Sequence, residues 1–426
     1  MTSQHTISDI HKHACAMASR ARDAFHDLRA FSPEQRSAGL HAAASELENQ
    51  STIILAANSR DMECAKNANR PDAFLDRLRI DQTRLDAIIQ TIRDIAAQPD
   101  PLGETMDEWS PPSGIDIRQI RVPIGVMAVI FESRPNVAAD AAALALRSGN
   151  AVILRGGSNS HNSSRAIVSA FRDGLLFAGL PIDLAQHPDT TDRDFVGALL
   201  TGLGGQIDLV IPRGGRDLVA RVQSEARVAV LGHLDGICHA YIHSAADFQT
   251  ARALVLNGKM RRTGVCNALE CLLIDRERLD DLWPLIADDL AKAGCRIKAD
   301  KRARQSCQSA EPARDADWGH EFLEAVIAVR TVDGLDEAMT HILQYGSGHT
   351  DLIISEDQKT IEIFLNTIDS AVVIANASTG FSDGAEFGFG AEIGIATSRL
   401  HARGPVGARQ LTTYKYQVRG KGHIRD

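Results

Sequence analysis

Seven cysteines punctuate the chain, and one of them, Cys266, stands in RRTGVCNALE between a Gly-Val step and an asparagine. Four chemistries are open to such a residue: packing, a disulfide, metal ligation or nucleophilic attack. The set at 15, 64, 238, 266, 271, 295 and 307 is odd, dispersed and without a CxxC pair, which sets disulfides aside in a reducing compartment. No metal is expected, because no Cys or His pair has structural-zinc spacing and Cys266 with Cys271 lacks a second pair to complete a tetrahedron. Packing and attack remain, free cysteines being most often small buried hydrophobes. Lys259, Arg261 and Arg262 lie just upstream and could lower a thiol pKa, or be solvated cations.

Two other motifs could handle phosphate. LRGGS at 154–158 and PRGGR at 212–216 each follow an apolar run and precede a helical one. Glycines there let backbone approach a ligand, a helix start offers unpaired N–H groups, and an arginine adds a fork for phosphate oxygens. The candidates are Arg155, Gly156, Gly157 and Ser158 in the first turn, and Arg213, Gly214 and Gly215 in the second. Neither is a GxGxxG fingerprint, and no acidic residue about 20 positions on is evident for a ribose 2′-hydroxyl. An arginine at the adenosine end suits a 2′-phosphate, hence NADP over NAD; the alternative is two tight turns with surface arginines.

These residues must be held by elements, and the text changes character along the chain. The first hundred residues read as helices: SPEQ at 32–35 supplies a Ser N-cap with Pro at the first helical position, and Leu85, Ile88, Ile89, Ile92 and Ile95 form an apolar stripe. Residues 105–122 have a hairpin pattern around PPSG, either a subunit-pairing arm or a surface loop. VMAVIFE, AVILRGG and DLVIPRGG then alternate with helical runs, which predicts a parallel sheet with helices on both faces. A second series follows from about 238, with CHAYIHS, ECLLID, AVIAVRTV, TDLIISE and AVVIAN as strands. The polar stretch 299–320 reads as a surface excursion. LTTYKYQV alternates like a strand able to pair with the 105–122 hairpin or a neighbouring subunit.

At 426 residues and 44% hydrophobic content the chain has material for two or three cores. Forty-six basic residues against 55 acidic give a net charge of −9 with scattered cations, so neither nucleic acid nor an anionic membrane is an expected partner. No segment approaches the roughly 20 apolar residues of a membrane span and no signal peptide is evident, so a cytoplasmic protein is expected.

Three long blocks, VPIGVMAVIFESRPNVAADAAALALRSGNAVILRGG, GKMRRTGVCNALE and FGFGAEIGIATSRLHARGPVGARQLTTYKY, resemble the gamma-glutamyl phosphate reductase (glutamate-5-semialdehyde dehydrogenase) family of the aldehyde dehydrogenase superfamily. The resemblance implies an α/β, aldehyde dehydrogenase-like fold with two α/β domains, each on a parallel sheet, and a small β oligomerisation arm. The expected division is 1–104 and 123–231 for a Rossmann-like NADP-binding domain, 232–400 for a catalytic domain, and 105–122 with 401–426 for the arm. It implies NADPH-dependent reduction of L-glutamyl 5-phosphate to L-glutamate 5-semialdehyde with release of phosphate, in proline biosynthesis, by a homo-oligomer functionally coupled to glutamate 5-kinase. Cys266 takes the nucleophile's place, and Asn136 resembles the asparagine of the oxyanion hole, with Arg134 competing for that position. The RGG residues fall where the superfamily holds adenosine and pyrophosphate, and Glu321 where a glutamate holds the nicotinamide ribose. Glu132, Arg134, His401 and Arg403 are candidates for substrate, the LHARGP block serving equally as an interface. In hydrolytic relatives a glutamate about thirty residues before the nucleophile activates water; here His233 stands at that place, either as a functional departure or as a polar neighbour at a domain junction. The rival readings are a hydrolytic aldehyde dehydrogenase and a nucleotide-binding scaffold without catalysis.

Overall fold

The computed structural model describes residues 7 to 425. It has two compact units: one runs to Gly232 and regains Gly388–Gly394 and the chain from Val406; the other comprises His233–Phe387 and Ile395–Pro405.

In the first unit, helices Ile7–Leu28, Pro33–Asn49, Ser51–Asn67, Asp72–Leu78 and Gln82–Ala97 precede any strand. Ser32 caps its helix as expected: its hydroxyl accepts from Gln35 N while the Gln35 side chain accepts from Ser32 N. All five residues of the Leu85–Ile95 stripe are buried. A five-stranded parallel sheet follows, in the order Ala185–Gln186, Ala151–Gly156, Val126–Phe131, Leu209–Arg213, Ala229–Val230. VMAVIF and AVILRG are buried throughout, as strands covered on both faces require. Helix Asn136–Arg147 packs ten of its twelve residues inside, most of them alanines that allow close approach. It stops at Gly149, whose φ of +73° is open to glycine and where a Cβ would strike Leu102 and Pro123. The order in which strands are added to the sheet reverses between Val126–Phe131 and Leu209–Arg213, so the carboxyl ends of those two parallel strands flank a switch point, the usual ligand crevice of an open α/β sheet.

The hairpin Thr105–Trp109 and Asp116–Pro123 forms a three-stranded antiparallel sheet with Thr412–Arg419. Thus LTTYKYQV pairs with the 105–122 hairpin, and of residues 401–426 this strand alone joins that sheet; Gly404–Pro405 pairs instead with Ile395–Ala396.

The second unit is built on seven parallel strands in the order Glu311–Pro312, Arg296–Ala299, Val326–Val332, Leu269–Asp275, Cys238–Ile242, Thr350–Ile354, Val372–Ala375. One face packs on Trp283, Ile286 and Leu290, the other on Trp318, Met339 and Phe364. The expectation for 299–320 fails. That stretch contains helix Lys301–Gln305 and the edge strand Glu311–Pro312, and it buries Ala303, Cys307, Ala310 and Trp318. Its polarity misleads because the polar groups are paired: the Trp283 indole donates to Ala303 O at 2.8 Å, and Lys298 meets Asp317 at 2.5 Å.

Candidate active site

Cys266 lies in a turn just before strand Leu269–Asp275 and is half-buried. The turn is tied down from three sides. Asn267 Nδ2 donates to Ser382 O at 3.0 Å and Gly380 O at 3.4 Å. The Cys238 thiol donates to Cys266 O at 3.3 Å. Gly236 passes so close that an added Cβ would come within 2.3 Å of Cys266 O, and its N–H donates to the Glu321 carboxylate at 2.9 Å. Ile237 N–H is held by Ser347 Oγ at 2.9 Å.

Two imidazoles join the thiol: ring nitrogens of His233 and His349 and Cys266 Sγ all lie within 4.8 Å of one another. Sheet order assembles them, since Cys238–Ile242 pairs with Leu269–Asp275 on one side and Thr350–Ile354 on the other. The residues just before those three strands therefore converge at one edge. His349 is fully buried and its pKa is lowered to about 3, first by burial and then by His233. His233 Nδ1 faces Ile395 O at 2.7 Å.

His233, Cys266 and Glu321 are thus brought together in the second unit, with Glu321 holding backbone behind the cysteine. His349, Cys238 and Gly236 escape sequence reasoning; the only linear sign is a histidine or cysteine next to a strand start, as in GSGHTDLI and DGICHAYI. Lys259 does not face the thiol: it is buried with its ammonium 2.7 Å from Glu270, whose pKa burial raises to about 7 although Lys259 opposes the rise. Arg262 is exposed, and Arg261 lies against Gly380. His401 is exposed, while Arg403 is committed to Asp369 through its carboxylate and carbonyl, both at 2.7 Å.

In the first unit, Glu132 and the second RGG turn meet at the switch point. Gly215 N–H donates to the Glu132 carboxylate at 3.0 Å, and a Cβ on Gly214 would collide with that group. Glu132 therefore occupies the N–H that the turn offers to an anion. The first turn leads into a short 3-10 segment, Ser158–Ser160, before helix His161–Phe177. Arg155 is buried, and its guanidinium donates to the carbonyls of Gly156, Thr191 and Asp192 at 2.8–3.1 Å. In this structure it fastens a loop and offers no open fork to a phosphate. Arg134 is exposed, and Asn136, the first helical residue, donates to Asp140 at 3.0 Å. Burial raises the Asp140 pKa to about 6.

Beyond those turns lies a cavity of about 340 Å³ whose lining includes Arg20, Arg165, Arg172, His187 and Asp189. Both ring nitrogens of His187 are buried without a hydrogen-bond partner, and its pKa falls to about 3 through burial, His161 and nearby arginines. The three arginines are each paired with a carboxylate of the lining, Arg20 and Arg172 with Asp183 and Arg165 with Asp189, which leaves the neutral His187 as the polar group with unmet bonding capacity.

Residues 4–308 match the aldehyde dehydrogenase family, the class with which the two parallel-sheet units agree. Along 96% of its length the chain is 53% identical to gamma-glutamyl phosphate reductase of Caulobacter sp. (strain K31), covering 98% of that protein, and 50% identical to the enzyme of the same name from Bartonella quintana, covering 99%. The crystal structure of gamma-glutamyl phosphate reductase from Thermotoga maritima superposes with a TM-score of 0.94 at 39% identity, over 97% of this chain and all of that one. The chain belongs to the gamma-glutamyl phosphate reductase family.

Proposed function

We propose that the chain reduces L-glutamyl 5-phosphate to L-glutamate 5-semialdehyde and releases phosphate, a step of proline biosynthesis, with Cys266 as nucleophile. The observation that carries this reading is the Cys266 turn, braced by Asn267, Gly236 and Cys238, with imidazoles and no carboxylate at the His233 position. The Cys266 thiolate attacks the acyl carbon, the carbon–oxygen bond to phosphate breaks, and a thioester forms on sulfur. The oxyanion needs N–H donors where its charge develops, for which Cys266 N and Asn136 are the proposed groups. NADPH, when bound, supplies the hydride that reduces the thioester. Collapse of the resulting thiohemiacetal breaks the carbon–sulfur bond and frees the aldehyde and Cys266. A histidine at position 233 leaves water without the carboxylate base of hydrolytic relatives, which favours reduction of the thioester.

The cavity at Arg165 and His187 fits the adenosine end of the cofactor, its guanidinium groups favouring a 2′-phosphate and hence NADP. The first RGG turn, Arg155 to Ser158, borders the same ligand, and the second, Arg213 to Gly215, receives pyrophosphate once Glu132 yields Gly215 N–H. Glu321 is proposed for the nicotinamide ribose, and Glu132, Arg134, His401 and Arg403 for the substrate's charged groups. Trp109, Tyr414, Tyr416 and Val418 are exposed on the three-stranded sheet, with Tyr416 stacked edge-on to Trp109 and Tyr414, a surface suited to a second copy of the chain. The proposal includes a cytoplasmic location and functional coupling to glutamate 5-kinase, which makes the short-lived acyl phosphate. Among the described residues no helix is long and apolar enough to cross a membrane.

The test runs the reaction backwards. Oxidation of glutamate 5-semialdehyde with NADP should require phosphate and be lost in Cys266→Ala; turnover undiminished without phosphate would refute the proposal in favour of a hydrolytic aldehyde dehydrogenase.

A further inference from the structure

Two Cys-His-His groups occur among the described residues, His233–Cys266–His349 and His239–Cys271–His341, and hydrogen placement separates them. In the second, Arg330 meets His341 Nδ1 at 3.1 Å; a guanidinium only donates, so the His341 proton sits on Nε2, which points at Cys271 Sγ at 3.6 Å. That imidazole presents an N–H to the thiol, and all three residues are buried. In the first group both imidazoles turn Nδ1 to an acceptor. Ile395 O can only accept, so His233 Nδ1 carries a proton and donates it there. His349 Nδ1 lies 2.9 Å from Thr350 Oγ1 and 3.7 Å from Cys238 Sγ. Thr350 donates its own proton to Ser382 Oγ and Cys238 donates to Cys266 O, so both neighbours accept from His349 Nδ1. His349 Nε2 is then a lone pair, buried and without a hydrogen-bond partner.

A ring whose Nδ1–H is anchored on a backbone carbonyl or hydroxyl can present Nε2 to a metal, the usual arrangement of a ligating histidine. We propose that Cys266, His233 and His349 form a three-ligand site for a thiophilic divalent cation, Zn²⁺ being the type, which reversibly masks the nucleophile. On binding, the Cys266 thiol releases its proton to solvent and a metal–sulfur bond forms, with no change of oxidation state. Bonds of about 2.0–2.3 Å place tetrahedral ligand atoms roughly 3.3–3.6 Å apart, against separations of up to 4.8 Å here. Cys266 and His233, both half-buried, supply the adjustment while His349 stays fixed. Their partial exposure also leaves a fourth position for water, as in sites of three protein ligands.

The test uses the full-length reduced protein without substrate or cofactor, so its outcome is independent of the reaction assigned above. Titration with Co²⁺ should produce a thiolate-to-cobalt charge-transfer band that saturates at one equivalent, disappears on adding Zn²⁺, and is absent in Cys266→Ser. His349→Gln should weaken Co²⁺ binding at least as much as loss of an outer-shell partner does, about 10–100-fold. Because that variant can fail to fold, protection of the wild-type Cys266 from alkylation by equimolar Zn²⁺, read by peptide mapping, provides a second measure. No band, a band that survives Cys266→Ser, or equal alkylation with and without Zn²⁺ would each overturn the proposal.

Discussion

Removing the Lys259 ammonium, as in Lys259→Met, asks whether that charge serves the nucleophile or the core. Its Nζ is 2.7 Å from Glu270, both side chains are at most 1% exposed, and the second Glu270 oxygen accepts from Leu323 N at 3.2 Å. Breaking a buried ion pair from one side costs about 3–5 kcal/mol, because the surviving charge is stranded. Glu270 can escape by staying protonated. Its pKa is already near 7 with Lys259 present, and loss of the lysine pushes it higher. Above pH 7 the variant therefore holds a proton that the wild type has shed, and the destabilisation grows by up to about 1.4 kcal/mol per pH unit. Below pH 6 both proteins carry a neutral Glu270 and the difference shrinks. Urea denaturation at pH 6, 7 and 8 should show this trend. Lys259→Met combined with Glu270→Gln, which keeps an acceptor for Leu323, should recover at least half of the loss. A single-variant cost below about 1 kcal/mol at pH 8, together with an altered pH profile of Cys266 alkylation, would refute the structural role and make Lys259 a tuner of the thiol.

Three further outcomes are expected. Gly236→Ala should leave the circular dichroism spectrum unchanged but lower kcat about 100-fold, since the new methyl group displaces Cys266 and misplacement by an ångström is costly; activity within twofold of wild type would contradict the close approach. His341 and His349, buried and neutral with pKa values near 3, should steepen acid unfolding: the unfolded chain binds protons below pH 6.5 that the native state refuses, costing on the order of 1–2 kcal/mol each by pH 5. His239 works in the other direction, its pKa raised to about 10, with Cys271 and Asp351 outweighing the burial that opposes the rise, so its contribution is complete below pH 6.5 and fades as pH climbs towards 10. Stability measured from pH 5 to 9 should peak near neutrality. Tyr416→Asp should reduce the particle mass in light scattering to that of a monomer, with the fold intact; an unchanged mass would remove the three-stranded sheet as the association surface.

What could be read from the sequence and what could not follows from how each feature is built. The strands announce themselves because parallel sheets covered on both faces demand runs such as VMAVIF and AVILRG. The Ser32 cap and the Leu85–Ile95 stripe are equally local, each determined within one or two helical turns. Cys266 stands out for its motif, whereas His349 does not, although it is deeper and lies within the same 4.8 Å. Its position depends on Thr350–Ile354 running beside Cys238–Ile242, and nothing near residue 349 records that neighbour. Charge is misread for a related reason. Lys259 is seven residues from Cys266 in the chain, but helix Phe248–Met260 ends there with Lys259 buried and turned to Glu270. Arg155 stands at the end of an apolar strand and looks aimed at a ligand, whereas its buried guanidinium satisfies the carbonyl of Gly156 beside it and those of Thr191 and Asp192 from another loop. In each case the residue type gives the available chemistry, and burial decides which partner uses it: a charge withdrawn from water must be paired at once, by the nearest group the tertiary structure provides, before it can be spared for a ligand.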